Sequence, residues 1–255
     1  MALRDLNGYS VLITGGGSGI GAGTAQYLAE RGARVTISGR RADKLDAVAA
    51  RVSGVRAVAG DVAIEDDRER VLTAAVEHGG GRLDGLVNNA GNMVRGPIDQ
   101  LNESELAHIF STNVIGAMLL TGLARSALSR SDGSVVFLGS IHNRRAFPGA
   151  SPYAATKGAI EALTRSLAAE LGADGIRVNC VCPGAVPTEI NQRAGLATDE
   201  EARARLEGMS GLHALGRIGT AEEVAEAITY FLQAEWTTGA IVDVDGGLGL
   251  GLTDR

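Results

Sequence analysis

The sequence predicts an α/β protein built on a doubly wound parallel sheet of seven strands, with helices on both faces. Three observations predict it. Short apolar runs alternate with longer helical patterns, the apolar residues within each run are continuous, and the first run leads directly into a glycine-rich turn. Continuous apolar strands are typical of a sheet covered on both faces, and a repeated strand–helix order gives right-handed crossovers between parallel strands. This arrangement is the Rossmann-type architecture.

Seven runs are predicted to form the strands, at residues 10–14, 34–38, 55–59, 83–88, 134–138, 177–182 and 240–244. Two of the helices between them carry clear start signals. Asn102 followed by Glu105, and Thr220 followed by Glu223, predict capping boxes. The sequence has no Pro- or Ser-rich linker and no internal repeat, so residues 1–255 are expected to form a single domain.

The composition excludes several classes of protein. The net charge is −6, whereas a nucleic-acid-binding domain carries a basic face. The first residues lack the apolar core of a secretory signal, and no run of about 18 apolar residues is present, so we expect a cytoplasmic protein that does not cross a membrane. Cys180 and Cys182 alternate along an apolar run and are expected to be buried; the four histidines lack metal-ligand spacing, so we expect no metal.

The glycine-rich turn after the first strand indicates a phosphate-binding site. It runs from Thr14 to Gly21 with the spacing G-x-x-x-G-x-G, and a helix is predicted to begin near Ser18. Gly15, Gly19 and Gly21 stand where the chain must turn sharply and where backbone amides must approach a pyrophosphate. The amino terminus of the following helix attracts an anion.

Tyr153 and Lys157 are four residues apart in a predicted helix whose N-cap and first helical residue are Ser151 and Pro152. Residues with this spacing lie on one face of a helix, about one turn apart. A phenol in water exchanges its proton poorly at neutral pH, and a neighbouring ammonium group stabilises the phenolate, so the pair is suited to general acid–base catalysis. The same spacing also occurs on ordinary surface helices, where a lysine stem covers an aromatic ring.

Four motifs occur together and in order. They are the glycine-rich turn, the sequence Asn-Asn-Ala-Gly at 88–91 after the fourth strand, Ser140 thirteen residues before Tyr153, and Pro183-Gly184 after the sixth strand. Together they resemble the short-chain dehydrogenase/reductase family over essentially all of the chain. The resemblance implies a single dinucleotide-binding and catalytic domain. It also implies hydride transfer between a nicotinamide cofactor and a small molecule that is a secondary alcohol or ketone.

The resemblance implies roles for four residues. Tyr153 would exchange a proton with the substrate oxygen as general acid or base, and Lys157 would assist the phenol and hold the nicotinamide ribose. Ser140 would hydrogen-bond the substrate oxygen, and Asn113 would hold a water that links Lys157 to solvent. Taken singly, Ser140 could instead be a turn residue at a strand end, and Asn113 a polar residue within a helix.

The resemblance also implies which residues contact the cofactor. Asp61 and Val62 resemble the pair beside the adenine ring, residues 89–91 resemble the stretch over the adenosine ribose, and Thr188 resembles the residue that bonds the carboxamide. The full set of expected contacts is Thr14, Gly15, Ser18, Gly19, Ile20, Gly21, Arg40, Asp61, Val62, Asn89, Ala90, Gly91, Tyr153, Lys157, Pro183, Gly184, Val186 and Thr188.

The end of the second strand favours NADP(H) over NAD(H). NAD enzymes commonly place an acidic residue there to bind the ribose hydroxyls, and this sequence has Gly39 followed by Arg40 and Arg41. Guanidinium groups make charge-assisted forked bonds to a phosphate, as the 2′-phosphate of NADP requires. The alternative is that both arginines are the solvated start of a helix. Ser18 also differs from NADP enzymes that carry a second basic residue in the glycine loop.

Two loops are expected to contact the substrate. Residues 141–150 offer His142, Arg144, Arg145 and Phe147; the arginines would either suit a charged substrate or be solvated, and His142 would either face the pocket or be a loop residue. Residues 185–215 are polar and helix-prone and are expected to form a lid that orders on binding. A 3-oxoacyl thioester, a cyclic ketone, a sugar and a polyol all remain open.

Wide apolar faces on the helices at 103–129 and 151–171 predict self-association, since family members pair these helices between subunits; we expect a homotetramer, or at least a dimer. Two other functions compete with an NADP-dependent carbonyl reductase. One is an NAD-dependent dehydrogenase of a sugar, polyol or cyclic alcohol, and the other is a nucleotide-sensing regulator that has lost its chemistry. The regulator is disfavoured because Ser140, Tyr153 and Lys157 keep the catalytic spacings.

Overall fold

The computed structural model describes residues 3–196 and 198–251. Its strands are β1 (Ser10–Thr14), β2 (Arg34–Gly39), β3 (Val55–Ala59), β4 (Gly85–Asn88), β5 (Ser134–Leu138), β6 (Arg177–Pro183) and β7 (Ile241–Val244). They form one parallel sheet in the order β3-β2-β1-β4-β5-β6-β7. The predicted fold class is confirmed, and the strand bounds differ from the predicted ones by at most two residues.

The strand order reverses between β1 and β4, and parallel sheets of this kind leave a crevice beyond the carboxyl ends of the strands at that point.

The helices are α1 (Gly19–Ala29), α2 (Ala42–Ala49), α3 (Glu65–His78), α4 (Glu103–Phe110), α5 (Gly116–Ser129), α6 (Ser151–Leu171), α7 (Ile190–Arg193), α8 (Asp199–Gly208) and α9 (Ala221–Gln233).

Helices cover both faces of the sheet, which explains why the strands are continuously apolar. Val11 and Ile13 of β1 pack in one layer with Leu28 of α1, whereas Leu12 packs in the other layer with Ile160 of α6. All five side chains are buried. Burying a side chain of this size contributes about 1.5–3 kcal/mol, so both layers stabilise the position of the strand ends.

The helical run Glu103–Ser129 contains α4, a π-helical turn at Ser111–Ile115 and α5. By length and composition it could cross a membrane, with a mean hydropathy of 1.5, and 44% of that window is buried inside the protein. Leu120 and Leu128 pack in the core, whereas Met118, Leu119 and Leu123 are exposed. A core helix of a soluble protein passes the same test of length and composition.

Two of the three predicted N-caps are at the predicted residues. Thr220 and Glu223 form the predicted capping box. Asn102 caps α4 by accepting a hydrogen bond from the Glu105 amide, but the Glu105 carboxylate bonds the Asn102 side chain at 2.6 Å instead of its backbone amide, so this capping box is incomplete. The predicted cap at Ser151 is wrong, because α6 begins at Ser151 itself and the residue before it takes the cap position without a side-chain bond. Proline lacks an amide hydrogen and is tolerated within the first turn, so it did not fix the boundary to one residue.

Candidate active site

A cleft of about 370 Å³ opens at the carboxyl ends of β1, β4, β5 and β6. Most of the predicted site residues line it, namely Gly15, Ser18, Gly19, Ile20, Asn89, Ala90, Gly91, Ser140, Tyr153, Lys157, Pro183, Gly184, Val186 and Thr188. The others lie outside its wall, namely Thr14, Gly21, Arg40, Asp61, Val62 and Asn113. Segments far apart in the sequence therefore meet in one place.

Gly15 and Gly21 of the glycine-rich turn have no room for a side chain. Gly15 has a φ of 68°, and a Cβ there would lie 2.9 Å from the Ala90 Cα. A Cβ on Gly21 would lie 2.4 Å from the carbonyl oxygen of Gly15. The N-cap of α1, Ser18, makes no side-chain capping bond, and the first turn of α1 has no acidic residue. The helix thus offers free amides and an unopposed dipole to an anion.

Thr14 and Asn89 hold the two loops of this region together. The Thr14 hydroxyl accepts hydrogen bonds from the amides of Asn89 (3.1 Å) and Ala90 (3.0 Å). The Asn89 side-chain amide donates to the carbonyl oxygens of Thr14 (2.8 Å) and Gly15 (3.1 Å). Both residues were expected to contact the cofactor, and the contacts they make here brace the turn.

Tyr153 and Lys157 lie in the first two turns of α6, and both side chains are buried against the cleft. The Lys157 Nζ donates to the carbonyl oxygen of Leu138 at 2.7 Å and lies 5.4 Å from the centre of the Tyr153 ring. Among the described residues, the Tyr153 hydroxyl has no hydrogen-bond partner. The ammonium is anchored to the end of β5 and leaves the phenol free to bond a ligand.

Ser140 follows β5 and faces the same cleft. Its Oγ lies 3.0 Å from the Nδ1 of His142 and accepts a bond from the His142 amide. The backbone before it is fixed by packing, since a Cβ on Gly139 would lie 2.5 Å from the Cys182 sulfur and 2.9 Å from the Cys180 sulfur. The two thiols form the wall that orients the Ser140 segment.

His142 lies between Ser140 and Arg95 in the cleft wall. Its ring stacks on Phe147 at 4.4 Å and meets Tyr153 edge-on at 5.0 Å. Its Nε2 lies 3.5 Å from the Nη2 of Arg95. Burial, followed by the charges of Arg95 and Lys157, lowers the pKa of His142 to about 4, so the imidazole is neutral at pH 7.

Asn113 lies in the π-helical turn behind the cleft wall. Its Oδ1 accepts from the Asn92 amide at 2.7 Å, and its Nδ2 donates to the Asn92 carbonyl at 3.0 Å and the Thr156 hydroxyl at 3.1 Å. The side chain ties the loop after β4 to α6, which carries the tyrosine and lysine.

The region after β2 carries Gly39, Arg40 and Arg41. Arg40 is half exposed and lies 4.0 Å from the Asp61 carboxylate. Arg41 reaches across to the loop after β6, where its Nη2 donates to Glu189 at 2.6 Å, and it also donates to the Ser18 hydroxyl at 3.2 Å. The Arg41 guanidinium lowers the pKa of the Glu189 carboxyl.

Arg95 and Arg205 also line the cleft, and sequence reasoning missed both. Arg95 lies seven residues after the end of β4, and Arg205 lies on α8, which starts with a capping box formed by Thr198 and Glu201. No local motif marks either arginine, because only the fold brings their segments to the cleft.

The described residues contain no group of three His, Cys, Asp or Glu side chains that could hold a metal ion. Cys180 and Cys182 are free, buried thiols whose sulfurs are 3.9 Å apart.

The protein-family model described as enoyl-(acyl carrier protein) reductase matches residues 15–249. A tropinone reductase homolog of Arabidopsis thaliana is 35% identical over 95% of this chain and 93% of the relative. Gluconate 5-dehydrogenase of Gluconobacter oxydans is 34% identical over 98% of both chains. 2-(S)-hydroxypropyl-CoM dehydrogenase 3 of Xanthobacter autotrophicus is 37% identical over 93% of this chain and 95% of the relative.

Solved structures of similar fold also belong to short-chain dehydrogenases/reductases. A short-chain dehydrogenase/reductase of Caenorhabditis elegans, of unknown function and solved with its cofactor, superposes with a TM-score of 0.91 at 29% identity over 98% of both chains. One from Serratia marcescens superposes with a TM-score of 0.86 at 33% identity, over 96% of this chain and 100% of that one. The chain therefore belongs to the short-chain dehydrogenase/reductase family, whose members are nicotinamide-dependent oxidoreductases acting on alcohols and ketones.

Proposed function

We propose that this enzyme interconverts a secondary alcohol and a ketone with NADP(H), using Tyr153 as the general acid and base. The observation that carries the proposal is the Tyr153 hydroxyl, which faces the cleft without a hydrogen-bond partner among the described residues. Ser140 and Lys157 line the same cleft. A hydroxyl donor, a free phenol and a buried ammonium group around one cleft suit proton transfer to a carbonyl oxygen.

The residues at the other end fit a dinucleotide. The glycine turn has no room for side chains at Gly15 and Gly21, and the amino terminus of α1 is free to hold a pyrophosphate. The cofactor supplies the hydride chemistry, and the protein supplies position and charge. We assign the adenosine end to Arg40 and Asp61, which lie beside each other after β2 and β3.

The protein's own part in the reaction is hydrogen bonding and proton transfer. In the reducing direction, Ser140 donates a hydrogen bond to the ketone oxygen and Tyr153 gives it a proton. Lys157, 5.4 Å from the phenol ring, stabilises the negative charge left on Tyr153. Neutral His142 donates from Nδ1 to the Ser140 oxygen, so the serine keeps its own proton for the substrate.

The preference for NADP(H) rests on Gly39 and Arg40. Position 39 is a glycine and has no carboxylate that would repel a 2′-phosphate. The Arg40 guanidinium is half exposed, and the Asp61 carboxylate lies 4.0 Å from it. Arg41 donates a hydrogen bond to Glu189 at 2.6 Å. A guanidinium held by this carboxylate does not bind a 2′-phosphate, so this contact favours the NAD-dependent alternative. Fluorescence titration with NADPH and NADH tests the preference, and NADH binding ten times tighter would contradict it.

Replacing Tyr153 tests the proton-transfer role. Tyr153→Phe keeps the ring that contacts His142 and removes the hydroxyl. We expect turnover to fall about 100- to 10,000-fold, as for loss of a general acid–base group, with NADPH binding changed by only a few fold. The assay is ketone-dependent loss of NADPH absorbance. Turnover by Tyr153→Phe near the wild-type rate would assign the proton to another group, and NADPH binding without turnover of any ketone would support a nucleotide sensor.

The exposed apolar face formed by the π-helical turn and α5 supports self-association. Ile115, Met118, Leu119 and Leu123 are exposed on one helical run, and contiguous apolar surface of this kind marks protein contacts. We propose that this face is covered in a homotetramer, to be measured by sedimentation. The cytoplasmic location stays a prediction from the sequence.

A further inference from the structure

We infer that the substrate of this enzyme carries a carboxylate, which Arg95 binds with the help of Arg205. This inference rests on the proposed function and specifies its substrate class as a short ketone or secondary alcohol with one anionic end. The two arginines come from different segments, the loop after β4 and helix α8, and line the cleft together.

The cleft is cationic in a protein that is acidic as a whole. The chain has a net charge of −6, yet the described residues lining the cleft include the cations Arg95, Lys157 and Arg205 and one carboxylate, Glu189. Glu189 is already paired with Arg41 at 2.6 Å. Lys157 belongs to the proton-transfer group, so two guanidinium groups remain for a ligand.

Arg95 lacks the partners that a partly buried guanidinium needs. Its Nε is buried without a hydrogen-bond partner, and its Nη2 makes a long contact of 3.5 Å to His142. It makes no ion pair with the described residues. Burial, followed by the charge of Arg205, lowers the pKa of Arg95. A carboxylate would remove both costs, since it accepts forked hydrogen bonds and neutralises the charge.

The two arginines that the sequence suggested for this role are occupied elsewhere. Arg144 pairs with Glu161 at 2.7 Å and lies 3.5 Å from Asp243, and Arg145 donates to the carbonyl oxygen of Leu248 at 3.0 Å. Neither lines the cleft. Arg144 and Arg145 therefore already have hydrogen-bond partners, whereas the Nε of Arg95 has none among the described residues.

The geometry also limits the length of the substrate. The guanidinium of Arg95 and the hydroxyl of Ser140 contact opposite nitrogens of the His142 ring, at 3.5 Å and 3.0 Å. A ligand that reaches both groups therefore places its carboxylate a few bonds from the reacting carbon. The surrounding wall is largely apolar and includes Met93, Phe147, Ile190, Leu206, Met209 and Leu212.

The apolar wall argues against a sugar or polyol. On this side of the cleft the described wall has no Asn, Gln or Asp to bond several hydroxyl groups. Burying hydroxyls without partners is costly. A hydrocarbon chain that ends in a carboxylate matches both the apolar wall and the arginines.

The test compares keto acids with their methyl esters. We expect kcat/KM with NADPH to be at least about tenfold higher for 3-oxobutanoate and 4-oxopentanoate than for the corresponding esters. Arg95→Gln should bring this acid-to-ester ratio down to about 1, a fall of about tenfold or more that matches loss of a charged hydrogen bond, and Arg205→Gln should lower it less. Arg51→Gln, at an exposed residue just after the end of α2 and outside the cleft wall, is the matched control and should keep the ratio.

Binding provides a second readout that does not need turnover. In a Tyr153→Phe background with NADPH bound, calorimetric titration with 4-oxopentanoate should show binding that the added Arg95→Gln removes. Esters turned over as well as acids, or an unchanged ratio in Arg95→Gln, would overturn the inference and leave the oxidoreductase proposal standing. If no ketone is turned over, the proposed function fails, but the binding measurement still tests the anion site. Carboxylate binding that Arg95→Gln removes would support the site, and no carboxylate binding by the protein would contradict it.

Discussion

The two halves of the cleft are built in different ways. The half that we propose binds the cofactor, from Gly15 to Gly21 and residues 89–91, is built mainly from backbone, with contacts so close that no Cβ fits at Gly15 or Gly21. The half that we propose binds the substrate is built from side chains, with Arg95, His142 and Arg205 brought in by three separate segments. Backbone geometry constrains the local sequence strongly, whereas a side-chain pocket can be assembled from anywhere. The first half therefore carries motifs of the family, and we propose that the second determines the substrate.

Adding a side chain to the glycine turn should have the largest effect, which we expect on NADPH binding. Gly15→Ala places a Cβ 2.9 Å from the Ala90 Cα at a positive φ. We expect roughly 3 kcal/mol of lost cofactor binding, or about 100-fold, measured by NADPH fluorescence titration. Gly208→Ala is the control, because a Cβ there meets nothing within 4 Å, and it should bind NADPH normally. Unaltered NADPH binding by Gly15→Ala would show that the turn adapts and would weaken the contrast between the halves.

A change that leaves the backbone alone should switch the cofactor preference. Gly39 has space, since a Cβ there would meet Leu45 at 3.8 Å and no other atom closer than 4 Å. Gly39→Asp should raise the Kd for NADPH and lower that for NADH, shifting their ratio about 10- to 100-fold, because a carboxylate repels a 2′-phosphate and accepts bonds from ribose hydroxyls.

Gly39→Asn, which adds similar volume without charge, is the matched variant for this experiment and should shift the ratio much less. A ratio unchanged by Gly39→Asp would place the 2′ position of the ribose away from residue 39.

The substrate half should show the smallest effect, in the pH dependence of folding. The folded protein holds the pKa of His142 at about 4, below the ordinary value of 6.5, so the unfolded state binds a proton more readily. The resulting stability is present above pH 6.5 and is lost as the pH falls toward 4. We expect about 1–2 kcal/mol less stability at pH 5 than at pH 7 from this residue, measured by guanidinium unfolding.

His142→Asn should remove that part of the pH dependence. Burial also lowers the pKa of His78, so a smaller slope in the same window remains. His108→Asn, at an exposed histidine, is the control and should keep the full slope. A slope in His142→Asn equal to that of the wild type would show that His142 is not held neutral by the fold.

Local sequence patterns marked the strands and the glycine turn. Both were predictable because continuous apolar runs and glycines at fixed spacings are visible within a few residues of sequence. The Tyr153–Lys157 pair was predictable from its spacing on one helix, and Ser140 was implied by the resemblance to the family; the structure places all three on the wall of one cleft. The cap at Ser151 was wrong by one residue, since a proline in the first turn is compatible with either boundary.

Arg95 and Arg205 left no such signature. They are 110 positions apart, and their meeting depends on how the loop after β4 and helix α8 pack over the finished sheet. The partners of Arg144 and Arg41 were equally hidden, because Glu161 and Glu189 lie on other elements. Charge alone marks candidate residues, and only the fold shows which of them still lack a partner.

The π-helical turn at Ser111–Ile115 has a consequence for how this chain can change length. The turn joins two helices whose buried faces, at Ile109 and Leu120, contact different parts of the protein. Adding or deleting a single residue there would rotate everything that follows by about 100° and bring Met118 or Leu119 toward the sheet. In the helical run Glu103–Ser129, the fold should therefore tolerate an insertion only together with a nearby deletion of equal length, or a change of whole helical turns.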